Sequence, residues 1–126
     1  LGARVLVRPT PFVRVLTAVL AVGLAVNLFF HGAQPYAVGL FTPPWDKLAH
    51  MTLFGGFAAL LWVALGARWA AAVFVLCLAI GAADELVQMQ LPGRSPGWDD
   101  LLFDVIGAWV SLGMLRALRR RIIQLG

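Results

Sequence analysis

An all-α membrane bundle of four transmembrane helices is the fold this sequence predicts, and three observations carry it. The chain is 61% hydrophobic and only 13% charged, whereas soluble domains run at about 45–50% apolar and about 25% charged residues. A chain of 126 residues could not hide so much apolar surface from water. Four apolar stretches, at about 12–30, 47–66, 69–91 and 99–118, each come close to the roughly 20 residues that a helix needs to cross the hydrocarbon layer. Breakers separate them, so residues 1–126 read as a single domain with short loops.

The first stretch follows an arginine-bearing flank. It is longer than the apolar core of a signal peptide, about 7–15 residues, and has no convincing small-residue cleavage site before Gln34. A retained helix is therefore expected. Gly32, Pro35, Gly39, Pro43 and Pro44 break the chain before the second helix. Gly66-Ala67-Arg68 reads as a tight turn, and Pro92-Gly93-Arg94-Ser95-Pro96-Gly97 as a breaker-rich loop.

Charge orients the bundle, because short cytoplasmic loops are enriched in Lys and Arg. Arg4, Arg8, Arg14, Arg68, Arg116, Arg119, Arg120 and Arg121 fall at the ends and the second turn, against Lys47 and Arg94 on the other side. Both termini are expected in the cytoplasm. Tyr36, Trp45 and Trp98 then belong to an outer aromatic belt and Trp62 and Trp69 to an inner one, while Trp109 lies too deep for either and is expected to pack inside. The net charge of +4 follows from this topology, so nucleic-acid binding is not expected. Cys77, the single cysteine, excludes a disulfide framework and reads as a small core residue.

The six acids, Asp46, Asp84, Glu85, Asp99, Asp100 and Asp104, all fall in or beside membrane-spanning stretches. Carboxylates are costly there and usually face a bundle interior or a watery pocket. The predicted orientation gathers them with Lys47, His50, Gln88 and Arg94 at the extracytoplasmic face. At 1.5 Å rise per residue, His50 lies about 6 Å below Asp46, Asp104 about 6–8 Å below Asp99, and Glu85 about 9 Å below Leu91. That depth is the lipid headgroup region, and a polar pocket facing the extracytoplasmic side is expected there.

Asp46 is expected to cap the second helix, and Asp99 to cap or begin the fourth. Lys47 and His50 share one stripe with Asp46. Gly81 continues the Asp84 stripe with a small residue that permits close helix approach. Asp100 and Asp104, one turn apart, should share a proton, accept Arg94 or His50, or bind a cation. A divalent cation at Asp100, Asp104 and His50 is one reading; such single-His, oxygen-rich sets are unspecific. Arg94 suits either a clamp onto the helix 4 acids or capture of an anionic group.

Together, Asp46-Lys47-x-x-His50, Asp84-Glu85-x-x-Gln88 and Arg94-Ser95-Pro96-Gly97-Trp98-Asp99-Asp100-x-x-x-Asp104-x-x-Gly107 resemble the VanZ-like family of small bacterial membrane proteins, whose namesake is associated with resistance to teicoplanin and related lipoglycopeptides. The resemblance covers roughly residues 40–115, and the family pattern usually has Asn where this chain has Asp104. It implies a bacterial cytoplasmic-membrane protein that binds or modifies an amphiphilic envelope component, a lipid-linked substrate or the glycopeptide itself.

For catalysis, His50, Glu85 and Asp100 are the candidates, with Lys47, Asp84, Gln88, Arg94 and Asp104 binding the substrate. The same residues also suit a non-catalytic lipid or glycopeptide binder, or an ion-coupled carrier. Against the carrier, Leu16–Val26, Ala58–Leu65 and Ala70–Leu76 are almost wholly apolar, so a through-path would need a homo-oligomer. A purely structural polar knot that fixes helix register is the remaining alternative.

Overall fold

A computed structural model describes residues 8–94 and 97–125. It is all-helical over the described residues, and its four helices are each long and apolar enough to cross a membrane. The first, α1, spans Pro11–Gly32. Its entry is fixed by Thr10, whose hydroxyl accepts from the Val13 amide at 3.2 Å, and by Pro11 at the first position, where a missing N–H costs nothing.

The second helix, α2, spans Trp45–Leu65 and begins two residues before the expected start. The Thr42 carbonyl accepts from the amides of Trp45 at 2.8 Å and Asp46 at 3.4 Å, so a backbone turn does what a side-chain cap would have done. Pro44 holds the cap position, and Asp46 is a first-turn acid rather than the N-cap. Gly66, at φ 102°, ends α2 in a conformation that only glycine adopts readily. A single 3₁₀ turn, Ala67–Trp69, leads into α3, Ala70–Gln88.

The end of α3 comes earlier than the expected residue 91. Gln90 and Leu91 bond back to Val87 and Gln88 at 3.1 Å each, tightening the chain ahead of Pro92, which disfavours helix at the residue before it. The last helix, α4, spans Trp98–Leu125 and outruns the expected 118. Arg119, Arg120 and Arg121 are good helix formers, so their polarity does not stop the helix.

The most extensive helix pair is α2 with α4. Glycine makes it so: a Cβ on Gly107 would overlap the Met51 backbone, and one on Gly55 would sit 3.4 Å from the Gly107 carbonyl oxygen. Ser111 completes the seam by donating its hydroxyl to the Gly55 carbonyl at 2.8 Å. Gly81 plays the same part between α3 and α4, where an added Cβ would lie 2.9 Å from Leu101 and 3.0 Å from Asp104 Oδ2.

Phe54, Phe57, Ala58, Val73, Cys77, Ala108 and Leu112 form the core, with Ala21 the one buried residue of α1. Peripheral α1 is tied at both ends. Arg14 donates to the Ala64 and Leu65 carbonyls at 2.8 and 3.1 Å, and Arg94 donates to the Gly32 carbonyl at 2.9 Å. Trp109 does not pack inside: it is 69% exposed on the outer face of α4, a surface that suits lipid contact.

Candidate functional site

The start of α2, the end of α3 and the start of α4 meet at the end of the bundle opposite Arg14. Lys47 is the hub. Its ammonium pairs with Asp46 at 3.2 Å and Asp99 at 2.7 Å, and hydrogen-bonds Asp100. Three donors meet three carboxylates, which exhausts a lysine. Asp99 is a first-turn acid of α4, as expected, and a Lys47 partner as well.

One turn further along α2, His50 lies between two acids of α4. Its Nδ1 is 2.7 Å from Asp104 Oδ1, and its Nε2 is 3.8 Å from Asp100 Oδ2. The i, i+4 spacing of Asp100 and Asp104 therefore brackets one imidazole. Asp104 is 1% exposed, and its second oxygen, Oδ2, is buried without a hydrogen-bond partner among the described residues.

The two adjacent acids of α3 diverge, as a 100° helical step requires. Glu85 is fully buried and accepts the Gly97 amide at 2.7 Å, so it fastens the turn that starts α4. Its Oε1 has no partner among the described residues. Asp84, 2% exposed, accepts from Gln88 Nε2 at 2.8 Å through Oδ2. Gln88 in turn accepts from Arg94 at 3.4 Å. Arg94 thus clamps α1 and α3 rather than the helix 4 acids. Its planar fork finds a carbonyl and an amide oxygen within reach, while Lys47 occupies Asp99 and Asp100.

Asp46, His50, Asp84, Gln88, Arg94 and Asp100 line one cavity of about 320 Å³, within the range of small-molecule sites. Lys47, Glu85 and Asp104 stand behind that wall. Among the described residues, no group of three or more His, Cys, Asp or Glu is arranged to hold a metal ion. The Lys47 ammonium fills the charge between Asp46, Asp99 and Asp100 instead. Ser95 and Pro96 lie outside the described residues.

A sequence model of the VanZ/LLP1 family matches residues 5–119. The chain belongs to the VanZ/LLP1 family. No curated protein and no solved structure matches it. The match takes in helix α1, which the motif-based resemblance left out, and α1 brings site residues that the motifs missed. Asn27, His31 and Tyr36 also line the cavity, and His31 Nδ1 hydrogen-bonds the Tyr36 hydroxyl. The signal for them was present: Asn27 and His31 are one turn apart at the end of an otherwise apolar helix. In this VanZ/LLP1 chain the cavity is therefore built from all four helices.

Proposed function

We propose that this VanZ/LLP1 protein sits in the bacterial cytoplasmic membrane with its charged cluster at the extracytoplasmic face, where the cavity receives the polar head of an amphiphilic envelope component. One observation carries the reading: ionisable groups from all four helices line a single cavity of about 320 Å³ at the end of the bundle where the charged cluster gathers. A knot made only to fix helix register does not require a space beside it lined by its charged groups. The exposed Tyr36, Trp45 and Trp98 around that end support headgroup depth, where amphipathic rings collect. The arginines at the opposite end support a cytoplasmic position for both termini.

The bracketing of His50 by Asp100 and Asp104 favours modification of the bound component over simple occupancy. A carboxylate on Nδ1 fixes the ring tautomer and leaves Nε2 to move a proton. In this role Asp104 is a positioning residue, and Asp100 faces the cavity beside His50. The carrier reading has less support, because Phe54, Phe57, Val73 and Leu112 close the interior beneath the cluster.

The link to glycopeptide resistance rests on the family's namesake, and cells test it. In a teicoplanin-susceptible host, the wild-type chain should raise tolerance, and His50→Gln or Asp100→Asn should abolish that gain at equal membrane abundance. Full protection by both variants would contradict the reading.

A further inference from the structure

The polar cavity and the apolar side of the bundle are separated by shared walls. Leu28 and Leu53 belong both to its wall and to a small void beneath it. That void shares Ala25, Phe57 and Ile80 with a second space of about 420 Å³ between α1, α2 and α3. Apart from backbone, the second space is lined by aliphatic and phenylalanine side chains alone, including Val22, Val26 and Leu61. Peripheral α1, with Ala21 as its one buried residue, forms one side of it. A headgroup in the upper space would leave its chain beside the lower one.

The charge of the upper space points to the kind of headgroup. Six carboxylates stand in or behind its wall with two permanent cations: Lys47 is taken up by Asp46, Asp99 and Asp100, while Arg94 donates to the neutral oxygens of Gly32 and Gln88 and its buried Nε has no partner among the described residues. One carboxylate of the cavity wall, Asp84, keeps an acceptor toward the space, whereas Asp46 Oδ1, also without a partner among the described residues, is buried and adds charge alone. Asp84, 98% buried by its 2% exposure, bonds Gln88 through Oδ2, while its Oδ1 faces the Gly32 side of the cavity, 3.7 Å from where a Cβ on that glycine would be. An open acceptor and surplus negative charge complement an ammonium with several N–H donors and disfavour a bare anion.

We propose that the two spaces form one bipartite site for an ammonium-headed lipid, its amine held by Asp84 in the field of Asp46 and its acyl chain lying between α1, α2 and α3. The proposal rests on the headgroup reading above and names the class of amphiphile.

The test titrates the purified full chain in detergent with lysophosphatidylethanolamine, lysophosphatidylglycerol and chain-free ethanolamine, counting bound molecules by native mass spectrometry. A hydrogen bond to a charged group corresponds to about tenfold or more in an equilibrium constant. The ethanolamine lipid should therefore bind about tenfold tighter than the glycerol lipid, with ethanolamine alone far weaker. Asp84→Asn and Asp46→Asn should each erode that preference. Val26→Trp, at a 60% exposed position on the apolar space, should weaken both lipids while folding is kept.

Equal or tighter binding of the glycerol lipid would overturn amine recognition and leave the headgroup reading standing. Chain-free ethanolamine binding as tightly as the lipid would overturn the role of the apolar space. Lipid binding indifferent to all three variants would overturn both this proposal and the headgroup reading.

Discussion

Lys47 Nζ lies among three carboxylates from two helices, and that geometry decides what a lysine here can do. A lysine so engaged neutralises its own protein and has no donor left for an incoming anion. Arg94 differs: it donates to the neutral oxygens of Gly32 and Gln88, and its Nε has no partner among the described residues. The residue types were legible in the sequence, but the pairing was not, because it depends on which face of α4 turns toward α2.

Asp104 shows the same limit. Its place one turn from Asp100 was legible, whereas its pairing with His50 rather than with a second acid required the tertiary contact. Asp104→Asn keeps an acceptor for His50 Nδ1, so its melting temperature in detergent should stay near wild type. Asp104→Leu leaves the imidazole unsatisfied, and thermal or chemical unfolding should show a loss of about 1–3 kcal/mol.

Helix existence and order were readable because length and hydrophobicity alone identify a membrane span. Ends were less readable. The start of α2 is set by a carbonyl of Thr42, a backbone acceptor that no residue pattern announces. Helix α4 runs on through arginines whose helix propensity outweighs their polarity.

Small residues were the better guide, and Gly81 lies at the close approach that its stripe suggested. Gly107 allows less room still, so Gly107→Ala should cost about 1–3 kcal/mol through overpacking of α2 against α4, read as a lower melting temperature. The α1 clasp belongs to this scale too. Arg94→Ala should free the Gly32 end of α1 and speed amide hydrogen exchange across residues 31–44, with the Arg14 end unchanged. Equal exchange in variant and wild type would show that the clasp does not hold α1.

Across the whole molecule, polarity is divided along the membrane normal. Apolar side chains fill the interior from Phe54 to Leu112, and nearly every ionisable group between the arginine-rich ends sits at one surface. The gathering of six acids at one end was legible from topology, since an antiparallel bundle with turns of known length fixes which ends are neighbours. A polar pocket at that end was expected, but the part of its wall that α1 and the loop after it supply was not, because it depends on how far peripheral α1 stands from its partners. His31 and Tyr36 were missed for that reason.

The most direct test of the central claim, that this cavity receives a polar head, is photocrosslinking in native membranes with a lipid carrying a diazirine beside its headgroup. The labelled peptides should come from residues 46–53 and 84–94, and labelling there should fall when Ala49→Trp fills the cavity wall. Labels confined to the outer faces around Trp109 and Met114, or cavity labels unchanged by Ala49→Trp, would contradict it.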